Sequence, residues 1–293
     1  MDIRTVLCPI DFTPVSDRAV ALAVSLCRRF GAHLVLEHNL DPRPPAFLSV
    51  TWMWSEDKKS DAAANERAAE ERLRAALNAL PQDVSHEARL TRGPVDLGLT
   101  ELARILPADL LVMGSHGWSS AEHASLTERL LESAPCPVLT VGSVEAPGGF
   151  LWGTDAKPVP VLVPVDLSAH SRTTVDHALE LLERLPLELH FLHIEQGPPA
   201  PGDYESDQRR LEALVPEARR ALVTFHIRSG ERVDGILKAA SDFGAQLILM
   251  GCHGKGALER FFTGATATQI LHRASCPVWF EPAIVARAAS PAA

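Results

Sequence analysis

The sequence predicts an α/β protein with two tandem doubly wound domains, each a parallel sheet with helices on both faces. The first observation behind this prediction is a repeat, because segments of the first half of the chain recur in the same order in the second half. The second is that each copy alternates short apolar runs with amphipathic helical patterns, which is typical of buried parallel strands joined by helices. The length of 293 residues also suits two domains.

Three pairs of matching segments establish the repeat. Residues 6–11 (VLCPID) match residues 161–166 (VLVPVD) at an offset of 155, and residues 110–117 (LLVMGSHG) match residues 247–254 (LILMGCHG) at an offset of 137. Near the end of each copy, residues 136–138 match residues 276–278 (both CPV) at an offset of 140. Ordered matches of this kind indicate a tandem duplication.

The apolar runs predict the strands of each copy. They lie at residues 6–10, 34–36, 110–113 and 138–141 in copy one, and at 161–165, 247–250 and 278–280 in copy two. The first helix of copy one follows from apolar residues at three- and four-residue steps, and Gly31 is expected to end it. This apolar stripe comprises Ala19, Leu22, Ala23, Leu26, Cys27 and Phe30.

The remaining helices follow from the same kind of pattern. The first helix of copy two is predicted from Val175, Ala178, Leu179 and Leu182, and another helix of copy one is expected at about residues 62–80. Further helices are expected after Gly93-Pro94 and after Gly230. The predicted organisation is a first domain at residues 1–142, a linker at 143–159, a second domain at 160–285 and a flexible tail at 286–293.

The composition excludes several classes of protein. The net charge is −9, from 28 basic and 37 acidic residues, which argues against a nucleic-acid or anionic-membrane partner. No apolar stretch approaches the ~20 residues of a membrane span, and the N-terminal segment lacks the apolar region of a signal peptide. Five cysteines in such a chain are expected to be reduced, so we predict a cytoplasmic protein.

Two features of copy two fall at the carboxyl ends of predicted strands, where open parallel sheets bind ligands. Asp166 follows the first strand, and Gly251 follows the strand at residues 247–250. Gly251 and Gly254 are followed after nine residues by Gly264, which opens a predicted helix. Glycines let backbone N–H groups approach a phosphate, and the start of a helix favours an anion. The pattern predicts a phosphate site.

On these residues the chain resembles tandem universal stress proteins. The ATP-binding subgroup of that family carries Gly-x2-Gly-x9-Gly followed by Ser or Thr, and Gly251, Gly254 and Gly264 match its glycines. The resemblance covers residues 5–141 and 161–280. It implies a Rossmann-like sheet of five parallel strands in each copy, nucleotide binding, and a regulatory role in stress.

The resemblance also implies roles for individual residues of copy two. Asp166 corresponds to a family residue that contacts the sugar of the nucleotide, and Ile194, which follows His193, offers backbone groups to adenine. Ala265 stands where the family has Ser or Thr, so one hydroxyl hydrogen bond of roughly 0.5–1.5 kcal/mol is lost or shifted to Thr266. We assign no catalytic or metal-binding residue and expect ATP, with Mg²⁺ as its counterion, at the following residues: Pro164, Val165, Asp166, Ile194, Met250, Gly251, His253, Gly254, Gly264, Ala265 and Thr266.

Copy one departs further from the family pattern. Asp11, Gly114 and Gly117 remain, but Ala124 aligns with Gly264, and the intervening loop is three residues shorter. Asn39 stands at the position of Ile194. We therefore expect copy one to bind ATP far more weakly or not at all.

Several residues allow a second interpretation. Asp11 and Asp166 could be turn residues that accept local backbone bonds, and the loop residues His116 and His253 could brace a turn. The thiol of Cys252, near a helix start, could be acidified. Lys255 and Arg260 could neutralise phosphate charge or form a solvated loop face. Residues 52–54 (WMW) could cover the cleft or an interface, or fold over the core. The rings of His190 and His193 should point to opposite faces of a strand, which argues against a shared metal ion.

Three functions compete at this point. The first is an ATP-binding regulator or sensor, the second is a nucleotide-free interaction module, and the third is a slow ATP hydrolase. Gly254-Lys255-Gly256 is not the Gly-Lys-Ser/Thr ending of a P-loop, so we do not expect an efficient enzyme. We also expect the two copies to pair through their last strands, residues 138–141 and 278–280, because pairing removes an exposed sheet edge. Whether two chains form a homodimer stays open.

Overall fold

The structure is a computed structural model of the chain, and it describes residues 1–40, 58–115, 120–142, 158–168, 171–197, 202–252 and 265–282. Most of the predicted linker and all of the predicted tail lie outside these ranges. Within them the chain alternates strands and helices around a single ten-stranded sheet. This arrangement confirms the predicted α/β class.

The elements of the two halves follow the same order. The first half contains β1 (Thr5–Pro9), α1 (Pro14–Phe30), β2 (His33–Leu40), α2 (Lys58–Asn78), β3 (His86–Arg92), α3 (Val95–Ile105), β4 (Leu110–Gly114), α4 (Ser120–Ser133) and β5 (Val138–Val141). The second half contains β6 (Val159–Pro164), α5 (Ser171–Leu182), β7 (Leu187–Glu195), α6 (Asp203–Leu214), a 3-10 helix (Glu217–Leu222), β8 (Val223–Ser229), α7 (Arg232–Asp242), β9 (Leu247–Gly251), α8 (Ala265–Arg273) and β10 (Val278–Glu281). Strand β6 begins one residue before the predicted start of the second domain.

Helix α1 shows how local sequence sets an element's limits. Thr13 caps its start, with a reciprocal pair of hydrogen bonds to Ser16, and Pro14 occupies the first turn, where no N–H partner is needed. Gly31 ends the helix in the left-handed region at φ 67°, as the sequence predicts. The buried face is the predicted apolar stripe, so α1 lies flat on the sheet.

The order in which strands are added to the sheet reverses once within each half. Across the sheet the order is β3-β2-β1-β4-β5-β10-β9-β6-β7-β8, and the five strands of each half are parallel to one another. Consecutive connections move outward on one side of β1 and then on the other, so β1 and β4 flank the switch point of the first half. Strands β6 and β9 flank that of the second. These are the positions at which doubly wound sheets bind ligands.

The two halves join through their last strands, which confirms the predicted pairing. Strands β5 and β10 run antiparallel, with Leu139 opposite Trp279 and Val138 opposite Phe280. Thr140 adds a side-chain hydrogen bond of 3.2 Å to the carbonyl of Val278. Trp279 and Phe280 are fully buried. The junction therefore turns two edge strands into the centre of one sheet.

Each face of the sheet carries one apolar layer that runs through both halves. Helices α1, α2, α5 and α6 pack on one face, with Leu22, Leu73 and Leu179 in that layer. Helices α3, α4, α7 and α8 pack on the other face, with Leu99 and Ile236 among the buried residues. None of the helices in the described residues combines the length and apolarity needed to cross a bilayer.

Candidate functional site

The switch point of the first half contains a cavity of about 180 Å³. It opens where β1, β2 and β4 end and is closed from one side by α3 and the described part of α4. Its walls are formed by Pro9, Ile10, Asp11, Thr13, Ser16, Glu37, His38, Asn39, Val95, Leu99, Met113, Gly114 and Leu126. Through the repeat, seven of these thirteen positions correspond to predicted nucleotide-site residues of the second half, so the topology of the first half brings the equivalent strand ends together.

Asp166 lies in a tight turn immediately after β6. Its Oδ1 accepts a hydrogen bond of 3.0 Å from the backbone N–H of Ser168, and it also accepts one from the hydroxyl of Ser171 at the start of α5. Leu167, between them, is held in the left-handed region at φ 58°, which is strained for a residue with a branched side chain. The turn fixes the carboxylate at the carboxyl edge of the sheet.

Asp11 forms the same turn in the first half. Its Oδ1 accepts hydrogen bonds from the backbone N–H of Thr13 at 3.0 Å and from the Thr13 hydroxyl at 2.6 Å. Phe12 is in the left-handed region at φ 60°. The turn interpretation of both aspartates is therefore confirmed, and a contact between Asp166 and a sugar stays a prediction.

A histidine braces each turn from the neighbouring strand. Nδ1 of His193 lies 2.7 Å from the carbonyl oxygen of Val165, and Nδ1 of His38 lies 2.7 Å from that of Ile10. The second ring nitrogen, Nε2 of His193, lies 3.6 Å from a carboxylate oxygen of Asp207 on α6. In the first half, burial lowers the pKa of His38, although its hydrogen bond to the Ile10 carbonyl opposes the shift. Sequence reasoning assigned no role to these rings, although their matched positions in the repeat were visible.

Ile194 and Met250, two of the predicted ATP-site residues, are buried at the carboxyl ends of β7 and β9. A Cβ on Gly235 would lie 2.9 Å from Cδ1 of Ile194, so a larger residue there would require the end of the Ile194 side chain to shift. Val165 is buried, and Pro164 ends β6 half-buried. These predicted residues therefore line the same edge of the sheet.

The predicted phosphate loop is described only at its two ends. Gly251 ends β9, and α8 begins at Ala265, which is exposed and followed by the half-buried Thr266. Three predicted site residues between them, His253, Gly254 and Gly264, lie outside the described residues. So do His116, Gly117, Lys255, Arg260 and residues 52–54.

Cys252 corrects one expectation from the sequence. The thiol is 2% exposed, and burial raises its pKa, so it is not acidified by a helix start. Its backbone N–H donates to the carbonyl of Glu281 at 2.9 Å, which ties the end of β9 to β10. The physical reason is position, because Cys252 directly follows β9 and is buried among the apolar residues on one face of the sheet.

Gly114 has a packing role of its own. A Cβ at this position would lie 2.7 Å from Cγ1 of Val15, so a side chain would push α1 away from the end of β4. Helix α4 begins at Ser120, which places Ala124 inside the helix rather than at its start. A glycine at the end of β4 is therefore needed even without a ligand.

Glu37 is the residue of this region that sequence reasoning missed. The side chain is 1% exposed on β2, and its carboxylate accepts a hydrogen bond from the hydroxyl of Thr91 on β3. Burial raises the pKa of Glu37 to about 7, although the bond from Thr91 opposes the shift. A signal was available, because the apolar run Leu34-Val35-Leu36 is followed by a charged residue where the repeat has Leu192.

His190 and His193 lie on opposite faces of β7, as the sequence predicts. Nδ1 of His190 lies 3.2 Å from Nε2 of His226, and both rings stack on Phe243. In the described part of the chain, no group of three His, Cys, Asp or Glu side chains is placed to hold a metal ion.

The fold defines a class: two doubly wound α/β domains in one chain, joined edge to edge through β5 and β10. The sequence model of the universal stress protein family matches residues 2–142 and 160–280. The chain belongs to the universal stress protein family, whose members are stress-response proteins. We refer to β1–β5 with their helices as domain 1 and to β6–β10 with theirs as domain 2.

Relatives with the same tandem length support this assignment. A universal stress protein of Mycobacterium tuberculosis (strain ATCC 25618 / H37Rv) is 27% identical over 256 residues, which cover 80% of this chain and 81% of the relative. One from Mycolicibacterium smegmatis is 24% identical over 293 residues, which cover 93% and 95% of the two chains. A universal stress protein crystal structure from Archaeoglobus fulgidus DSM 4304 has the same fold, with a TM-score of 0.67 at 20% identity and coverage of 95% and 96%.

Proposed function

We propose that the protein is an ATP-binding regulator or sensor of the stress response and that domain 2 holds the nucleotide. One observation carries the proposal. The strand-end positions of domain 1 converge on one cavity, and domain 2 keeps at the matching positions the acid, apolar residue and glycine of the family's ATP site: Asp166, Ile194 and Gly251. The spacing from Gly251 to Gly254 and Gly264 supports the same ligand.

Each group of residues has a chemical role in this proposal. Asp166 accepts hydrogen bonds from the ribose hydroxyls, and Ile194 and Met250 provide the apolar wall and backbone groups for adenine. Backbone N–H groups at Gly251, His253, Gly254, Gly264, Ala265 and Thr266 receive the phosphates, and the positive end of the α8 dipole favours their charge. Mg²⁺ enters only as the counterion of ATP.

Two further differences between the domains favour an anion in domain 2. Arg232 stands at the position of Val95, and Thr266 stands at that of Leu126, so a guanidinium and a hydroxyl replace two apolar cavity residues. Arg232 lies at the start of α7, with one N–H donated to the side chain of Gln196 at 3.1 Å. A guanidinium near the cleft offsets phosphate charge that the apolar wall of domain 1 would leave uncompensated.

We propose a binding role rather than catalysis. The residues Gly254-Lys255-Gly256 lack the Ser or Thr with which a P-loop holds Mg²⁺. A nucleotide-free interaction module is the second candidate, since local hydrogen bonds account for the positions of Asp11 and Asp166. Slow ATP hydrolysis is the third. Nucleotide released from the purified, denatured protein separates the first two, because a module of the second kind releases none.

The direct test is calorimetric titration of the full chain with ATP. We expect one site per chain, and we expect Gly264→Leu to weaken it at least tenfold because the side chain would occupy phosphate space. Ala124→Leu is the matched control, since Ala124 aligns with Gly264 in domain 1 and should leave ATP affinity unchanged. No heat of binding at millimolar ATP would refute the proposal.

A further inference from the structure

The cavity of domain 1 differs chemically from the nucleotide site proposed for domain 2. Its β2 wall carries Glu37 and Asn39, at positions where domain 2 has Leu192 and Ile194. A buried carboxyl group in an apolar layer costs free energy unless it has partners, so its presence beside an open cavity calls for a ligand or a compensating network.

A hydrogen-bond relay fixes the polarity of that wall. The side-chain N–H of Asn39 donates to the hydroxyl of Thr91 at 2.8 Å, and this hydroxyl in turn donates to Glu37. All donors of the relay therefore point toward the carboxylate. The amide oxygen of Asn39 is buried and has no hydrogen-bond partner among the described residues. The wall therefore leaves one buried acceptor, the amide oxygen of Asn39, without a donor among the described residues.

The walls of the cavity carry acidic side chains, and the guanidinium of Arg72 lies outside these walls, over the ring of Phe12. Asp11 adds a second carboxylate, and no lysine or arginine is present among the described residues of the wall. His38 adds little positive charge, because burial lowers its pKa. The opposite wall is apolar, formed by Val95, Leu99, Met113 and Leu126. The space therefore combines a negative, acceptor-rich end with an apolar side, which is unsuitable for a triphosphate.

We propose that the domain 1 cavity binds a small organic cation, an ammonium or amidinium group carried on a compact apolar body. The charged N–H groups bind between Glu37 and Asp11 and supply the donor that Asn39 lacks, and the apolar body lies against Val95 and Leu99. Charge-assisted hydrogen bonds to a buried carboxylate make this end the specific one. The ligand class is independent of the nucleotide in domain 2.

Benzamidine is a suitable probe, and benzamide is its uncharged match in shape. Calorimetric titration of the full chain at pH 8 should show one benzamidine site, with benzamide bound at least tenfold more weakly. A saturating concentration of ATP should leave the benzamidine affinity unchanged. Equal affinity for the two compounds, loss of benzamidine binding in the presence of ATP, or no binding at 10 mM benzamidine would overturn the proposal.

A pair of carboxyl variants locates the site. Glu37→Gln keeps the shape and removes the charge, and it should weaken benzamidine at least tenfold. Glu87→Gln is the matched control, because Glu87 is a carboxylate on neighbouring strand β3 that pairs with Arg89 outside the cavity. It should bind benzamidine as the parent does. Unchanged benzamidine binding in Glu37→Gln would contradict the proposal. If the Glu37→Gln variant does not fold, the comparison of benzamidine with benzamide on the parent protein still tests the proposal.

Discussion

Domain 1 and domain 2 share the turn at the switch point and differ in the wall beside it. In both domains an aspartate Oδ1 accepts a hydrogen bond from the N–H two residues on, and the residue between them, Phe12 or Leu167, has left-handed backbone angles. In both, a histidine contacts the carbonyl of the residue before the aspartate. The second strand differs instead: domain 1 has Glu37 and Asn39 at the positions where domain 2 has Leu192 and Ile194. The comparison indicates that the turn belongs to the fold, and we propose that side chains on the second strand of each domain determine which ligand binds.

The same comparison separates two reasons for a strand-end glycine. Gly114 is required by packing, because a side chain there would collide with Val15. Glycine at the end of β4 therefore does not by itself indicate that domain 1 binds phosphate. In domain 2 the proposal of a phosphate site rests on the whole spacing of Gly251, Gly254 and Gly264 together with Arg232 and Thr266.

The largest stability effect is expected at the junction, where the two domains contribute unequal partners. Trp279 is fully buried opposite Leu139, and its Nε1–H donates to Glu281 at 2.6 Å. Trp279→Ala should lower the free energy of unfolding by about 3–5 kcal/mol, at or above the cost of Leu139→Ala, since it leaves a larger void and removes a donor. Urea denaturation measures both.

Trp279→Phe is the control for the junction. It keeps most of the aromatic volume and removes only the N–H, so it should cost clearly less than Trp279→Ala. If Trp279→Ala lowers the free energy of unfolding by less than Leu139→Ala does, burial does not account for the contributions of β5 and β10 to stability.

The next effect concerns pH and distinguishes Glu37 from its apolar counterpart Leu192. Burial raises the pKa of Glu37 from 4.5 to about 7, so the unfolded chain ionises first. The stability from the neutral carboxyl is therefore complete below pH 4.5 and is lost as the pH rises to 7. Relative to the parent, Glu37→Gln should gain about 3 kcal/mol across this window.

Urea unfolding of both proteins from pH 4.5 to 8 checks this difference. The other ionisable groups near Glu37 are the same in the two proteins, so their contributions cancel. They include Cys8, Asp11, His38, and Arg89 with its partner Glu87. A difference that stays flat or narrows with rising pH would contradict the assignment.

A smaller effect of the same kind is expected in domain 2. Burial opposes the charge of His177, but the 2.7 Å hydrogen bond to Glu281, together with the charges of Glu281 and Glu180, gives a net rise in the pKa. The stabilisation is complete below the unfolded pKa of about 6.5 and is lost as the pH rises through the folded value. His177→Gln should therefore cost on the order of 1 kcal/mol at pH 5.5 and less at pH 8.5.

His226→Gln is a control for which the opposite dependence of stability on pH is expected. Burial lowers the pKa of His226, followed by repulsion from His190 and Arg228. The neutral ring stabilises the fold above the unfolded pKa and loses this contribution as the pH falls, so the cost of His226→Gln should be smaller at pH 5.5. Melting temperatures at the two pH values test both, and parallel trends in the two variants would be inconsistent with these shifts.

The sequence predicts the fold well because its signals are local and repeated. Apolar runs mark β1, β4 and β9, the stripe and Gly31 define α1, and the edge argument gives the pairing of β5 with β10. Contacts between distant residues leave no such signal. The bond between His177 and Glu281 joins residues 104 positions apart, and Glu37 finds Thr91 only once β2 and β3 are side by side.

The central claim is that nucleotide binding is confined to domain 2, and ATP stoichiometry in two matched variants tests it most directly. Asp11→Ala and Asp166→Ala remove the same turn residue from the two domains. We predict one ATP per chain in the parent, an unchanged site in Asp11→Ala, and a lost or strongly weakened site in Asp166→Ala. Two equivalent sites in the parent, or loss of binding in Asp11→Ala with binding intact in Asp166→Ala, would contradict the account.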